Sequence, residues 1–143
     1  NTGVVITTDT GDCNDIHPAK KEIVPKRLAN CALANQYKKN LIFKSAAFKS
    51  LKFKEGKAIV NFKFSKKDYF LSSENIKGFE IAGEDKIFYP AKAIINKNLK
   101  SITLHHENVK NPVAIRYGFK ACFESNLKTQ SGLPISVFRT DHW

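Results

Sequence analysis

The sequence predicts a mainly β protein: an antiparallel β-sandwich preceded by a terminal strand–loop–helix unit of α/β character. Three observations predict it. From about residue 41 onward, short apolar–polar segments recur at intervals of roughly 10–14 residues with turn residues between them. Two of these segments alternate with period two, Phe62 and Phe64 around Lys63, and Ile115 and Tyr117 around Arg116. The one helical pattern lies ahead of them all, and strands with no helices between them pair antiparallel.

In chain order, "GVVITTD" (3–9) is β-branched, apolar and closed by turn residues, so a buried strand is expected. "TGDCNDIHP" (10–18) is a loop of turn formers. "KEIVPKRLANCALANQY" is a helix that starts near Glu22 or Pro25 and ends near Tyr37. It places Val24, Leu28, Cys31, Ala32 and Asn35 on one face. Pro25 is tolerated in the first turn. Lys38, Lys39 and Asn40 close the helix with positive charge at its negative dipole end. A lone strand and helix cannot make a core, so residues 1–40 read as the last βα unit of a larger α/β domain. Residues 9–17 then occupy the carboxyl end of a strand, where open α/β sheets carry functional loops. Residues 41–143 are the sandwich, with strand segments "LIFKSAAFKSLKF", "KAIVNFKFS", "GFEIAG", "KIFYPAKAIIN", "LKSITLHHE", "PVAIRYGF" and "ISVFRTD". Turns fall at Glu55-Gly56, Gly83-Glu84-Asp85, Asn96-Lys97-Asn98, Asn111-Pro112 and Gly132.

Composition narrows the function classes. Hydrophobic residues make up 42%, with few Gly and Pro, which suits a real core and argues against disorder. No apolar run reaches the ~18 residues of a membrane helix, so no membrane span is expected. There is no methionine, which predicts a processed chain or a fragment, with room for a signal upstream. Net charge is +11, yet only Arg27, Arg116 and Arg139 are arginine. Nucleic-acid sites favour clustered Arg, whereas these lysines are spread and alternate with apolar residues. They read as solvated strand faces, and nucleic acid is not the expected partner. A weak attraction to acidic polysaccharide is compatible with the charge. Cys13, Cys31 and Cys122 show no Cys-x-x-Cys spacing, leaving room for one disulfide but not for a disulfide scaffold.

The loop holds Asp12, Cys13, Asn14, Asp15 and His17. Cys13 could be a nucleophile with His17 as its base, although such partners usually come from separate loops. Asp12, Cys13, Asp15 and His17 could bind a metal, although the spacing matches no common zinc or calcium site. His17 could be the acid/base arm of a triad, its backbone stiffened by Pro18. The loop could also be an ordinary polar connection.

The stretch "DTGDCNDIHPAKKEIVPKRLANCALANQY" resembles the last block of SGNH-type hydrolases of the sialate O-acetylesterase family, whose pattern is D-x-G-D-x-x-x-I-H-P-x-x-K-x-x-V-x-x-R-L-A. Asp9, Gly11, Asp12, Ile16, His17, Pro18, Lys21, Val24, Arg27, Leu28 and Ala29 match it. Pro25 departs from it, where the family more often has Gly. "GFEIAGEDKIFYPAKAII", "NPVAIRYGF" and "NLKTQSGLPISVFRTDHW" are similar as well, so the resemblance covers nearly the whole chain. It implies that His17 is the catalytic histidine. The acid three residues before the histidine in many such enzymes is Asn14 here, so Asp15, or a loop carbonyl such as that of Asn14, orients the imidazole. In the family the nucleophilic serine and the oxyanion-hole Gly and Asn lie on earlier strands, and no Gly-x-Ser elbow occurs here. The expected function is thus the C-terminal portion of a sialic-acid-type or other carbohydrate O-acetylesterase, inactive alone. It would be completed by an upstream segment of the same protein, act on O-acetylated carbohydrate and need neither cofactor nor metal. A secreted, periplasmic or otherwise extracytoplasmic setting is expected.

Tyr69, Phe70, Tyr89, Tyr117 and Trp143 are candidate sugar-stacking rings, against ordinary core packing. Arg116, Arg139 and Trp143 are candidates for ligand or interface contact. For the arginines, an internal ion pair with Asp141 or Glu124 is the plainer reading. The rival function is a carbohydrate-binding or scaffolding sandwich without catalysis.

Overall fold

The structure, a computed structural model, describes residues 2–15, 17, 19–71, 74–123 and 125–143. Ile16, Pro18 and Glu124, which the sequence reading singled out, lie outside the described residues. Among the described residues one helix, α1 (Ile23–Asn35), precedes eight strands. These are β1 (Ala47–Lys54), β2 (Lys57–Lys63), β3 (Phe79–Ala82), β4 (Phe88–Pro90), β5 (Lys92–Ile95), β6 (Ser101–His105), β7 (Ala114–Tyr117) and β8 (Phe138–Arg139). They form two four-stranded antiparallel sheets, ordered β1-β2-β6-β5 and β4-β3-β7-β8. The fold is mainly antiparallel β with one helix, as the sequence predicts.

The core lies between the sheets. Val60, Ile102 and Leu104 from one meet Ile81, Ile115 and Tyr117 from the other, all fully buried. Phe70 sits among them with its ring edge against Phe62 and Phe64. The β1–β2 hairpin turns at Glu55-Gly56, both with positive φ (51° and 69°), the geometry that matches strand twist in a two-residue turn. The segment "KIFYPAKAIIN", read as one strand, is two. Chain direction changes at Ala91, whose N–H donates to Phe79 O at 2.9 Å, so β4 pairs in one sheet and β5 in the other. Pro90 supports the break because it cannot donate to a ladder.

The segment ahead of β1 departs from expectation in two places. Residues 2–7 carry no regular secondary structure and pair with no strand among the described residues, and Val4 is 78% exposed. A strand requires a ladder partner, and among the described residues none pairs with this segment. In α1 the buried side chains are Arg27 and Cys31, while Leu28 is 49% exposed and Ala32 is exposed. The inward face is set by a charge, not by the apolar stripe, because Asp9 lies beneath Arg27. At the helix end, Lys38 Nζ donates to Asn35 O at 2.7 Å, capping a free carbonyl.

Candidate functional site

Asp9 is the fixed point from which the loop leaves. Its side chain is 2% exposed and accepts from Arg27 Nη1 at 2.6 Å and Arg27 Nη2 at 2.8 Å. Arg27 Nη1 also donates to Ile6 O at 2.8 Å, so one guanidinium holds the backbone before the loop and the carboxylate at its start. Lys128, from the region after β7, stands 3.1 Å from Asp9 Oδ2. Burial alone would raise the Asp9 carboxyl. The hydrogen bonds and charges of Arg27 and Lys128 outweigh it and hold the group below its ordinary range. Thr10, buried, closes a turn with both its N–H and its hydroxyl donating to Thr7 O.

A second anchor is covalent. Cys13 is disulfide-bonded to Cys122 across 109 residues, with Cα atoms 5.4 Å apart. Cys13 therefore offers no thiol for a nucleophile reading, and it is more than a bystander because it ties the loop to the region after β7. That region is itself well seated. Phe123 occupies the hollow left by Gly78 and Gly118, both at positive φ. A Cβ on Gly78 would come within 1.9 Å of the Phe123 ring. Ser125 Oγ lies 3.0 Å from Tyr117 Oη, and Asn126 accepts from Lys77 N–H and donates to Asn75 O. Burial pushes the Tyr117 phenol up to about 12, against the Ser125 hydrogen bond and with the Asp9 charge adding to the rise. Cys31 remains a free, buried thiol against which Gly3 packs closely.

Between these anchors the loop stands out into solvent. Asn14 N–H donates to Asp12 Oδ1 at 2.9 Å, and His17 N–H donates to Asp15 Oδ1 at 2.7 Å. The latter is an Asx turn that fixes the backbone carrying the imidazole. Asp15 Oδ1 is 3.6 Å from His17 Nδ1, and the His17 side chain is 75% exposed. The loop flanks a cleft of about 670 Å³ whose walls include Asp12, Asn14, Lys20, Lys77, Phe123 and Asn126. His17 stands outside that lining. The described residues contain no convergent group of three His, Cys, Asp or Glu side chains.

The other candidates lie elsewhere. Arg116 grips Asp141 with Nε at 2.9 Å and Nη2 at 2.6 Å, and Arg139 Nη2 stands 2.9 Å from the same carboxylate. Both guanidinia also donate to Trp143 O. The Arg116 hydrogen bond, working against burial, holds Asp141 below its ordinary range, with the charges of both arginines adding. Arg116 lies over the Phe88 ring at 3.9 Å. Trp143 is 46% exposed beside Lys86. Phe70 and Tyr117 are core residues, Tyr69 is half-buried, and Tyr89 stacks on His106. The sequence reading missed the Asp9–Arg27 pair as a structural element, although both residues stood in the matched motif. It also missed the Cys13–Cys122 pairing, for which no spacing signal exists.

No family model and no curated protein sequence matches the chain. Its structure is similar to the crystal structure of a carbohydrate acetylesterase from Xanthomonas citri, with 36% identity and a TM-score of 0.86. The likeness covers 94% of this chain and 31% of that one. The chain thus spans about a third of the length of the esterase it matches, and almost all of it is accounted for by that portion.

Proposed function

We propose that the chain is the C-terminal portion of a carbohydrate O-acetylesterase of the SGNH, sialate O-acetylesterase type. Residues 1–40 complete the esterase domain and residues 41–143 form the sandwich that carries it. His17 acts on a serine supplied from upstream in the same protein. The observation that carries this reading is the likeness to a carbohydrate acetylesterase over nearly all of the chain. The His17 loop, anchored on both sides and presenting its imidazole outward, supports it.

In this reading Asp15, whose Oδ1 stands 3.6 Å from Nδ1, orients the imidazole so that Nε2 is left to work. Nε2 takes the proton from the serine hydroxyl as its oxygen attacks the acetyl carbonyl. It then returns that proton to the departing sugar oxygen as the ester bond breaks and the acetyl stays on the serine, and water releases acetate by the same sequence with water as the nucleophile. The substrate is O-acetylated carbohydrate, and no cofactor is needed. The disulfide favours an extracytoplasmic setting, secreted or periplasmic.

A chromogenic acetyl ester tests the reading. The 143-residue chain alone gives no turnover. Joined to its upstream segment it gives turnover that falls about 10³-fold or more with His17→Ala and less with Asp15→Ala. Turnover by the isolated chain, abolished by His17→Ala, overturns it.

A further inference from the structure

We infer that the outer face of the β1-β2-β6-β5 sheet is a docking surface for a polysaccharide that carries carboxylates along its length, a polyuronate. The four strands contain Lys49, Lys52, Lys54, Lys57, Lys63 and Lys92 and not one Asp or Glu. The register then concentrates the charge. Lys54 is directly opposite Lys57, and Lys92 is opposite His105. Continuing the β2–β6 pairing by one residue sets Lys57 beside His105. A basic row thus crosses all four strands, about 14 Å from end to end at the usual strand spacing. The three lysines of that row are exposed.

Like charges placed opposite one another cost stability, and a merely solvated face would intersperse acids. Acids stand at the edges of the row, Glu55 in the hairpin turn, 3.4 Å from Lys54 with both side chains exposed, and Glu74, which lines a groove with Lys92 and Ile94. The adjacent row is mixed, Lys52, Ile59, Thr103 and Ile94, and the row beyond it is neutral and hydrogen-bonding. Ser50, Asn61 and Ser101 line up across three strands, and Thr103 and Asn96 extend them, Thr103 donating to Asn96 at 2.8 Å. A polyuronate matches this surface, because it presents one carboxylate per sugar at a repeat of the same order as the strand spacing, with hydroxyls between. Nucleic acid fits it less well. These strands' outward positions hold no aromatic ring to stack on bases and no arginine to fork onto phosphate. The inference does not depend on His17 being catalytic.

The test is affinity electrophoresis of the 143-residue chain in polygalacturonate, in neutral xylan and against duplex DNA. Polygalacturonate is expected to retard the chain, and the binding should weaken about tenfold between about 50 and about 200 mM NaCl. Lys54→Gln, Lys57→Gln and Lys92→Gln together should weaken it about tenfold or more. Lys39→Gln, Lys67→Gln and Lys97→Gln, the same charge change on exposed loops, should leave it within about twofold. A thermal melt of each variant separates lost binding from lost fold. Equal loss from both triple variants, equal or tighter binding to DNA, or no retardation by polygalacturonate overturns the inference.

Discussion

In the sandwich, every β-branched or aliphatic residue on an inward strand position of β2, β3, β6 and β7 is fully buried. In the segment ahead of β1, comparable side chains such as Val4 and Leu28 stand in solvent, and the inward position on the helix belongs to Arg27. The first region is held by contacts between neighbouring strands. The second is held at points, by one carboxylate clasped by two cations and by one disulfide. A sandwich resists through its whole interior, whereas a latched segment resists only as long as its latches do.

The largest expected effect lies in the sandwich. Phe70→Ala removes a fully buried ring between Phe62 and Phe64 and should cost about 4 kcal/mol of global stability by urea denaturation. A loss below about 1 kcal/mol would show that the interior is not the load it is taken for. Arg27→Ala comes next. It leaves the buried Asp9 carboxylate with Lys128 alone and should cost about 3 kcal/mol, read by hydrogen exchange in α1. The strands β2 and β6 should keep their protection. If they lose it equally, the two regions are one cooperative unit and the contrast fails.

Acid gives the same contrast without mutation. Asp9 and Asp141 both titrate below their ordinary range in the folded chain. The stability they contribute is therefore complete above the unfolded carboxylate value, near 4, and is lost as pH falls through their lowered values. Protonating Asp9 frees the helix from the loop. Protonating Asp141 loosens only β7 from the C-terminal residues. Helix protection should vanish at a higher pH than sandwich protection, and the reverse order would contradict the latch. The smallest effect is Leu28→Ser, expected within about 0.5 kcal/mol because that side chain is already half in solvent.

How much was legible in the sequence follows the same division. Strands could be read in the sheets, because alternation around Lys63 and Arg116 reports a buried face directly. The split at Ala91 was not legible, since "FYPAKAII" is apolar on both sides of a proline and only the sheets' geometry decides which pairs where. The helix limits were close, but its inward face was not, because periodicity counts apolar residues and the decisive one was Arg27. His17 could be picked out by resemblance. Its neighbour at 3.6 Å, Asp15, needed only two residues of spacing. The distant partners, Cys122 of Cys13 and Lys128 of Asp9, 109 and 119 residues away, left no local trace.

The pairing of Cys13 with Cys122 also sets an order in time. Chains are made from the amino end, so the histidine loop emerges long before the residue that will fasten it. The bond cannot close until strands β1 to β7 have been made, and it closes well only once Phe123 has found the hollow beside Gly78 and Gly118. Oxidation of this pair is therefore a late event in the making of the chain. A non-reducing gel of nascent chains would display it as a step that comes after β7 and can precede β8.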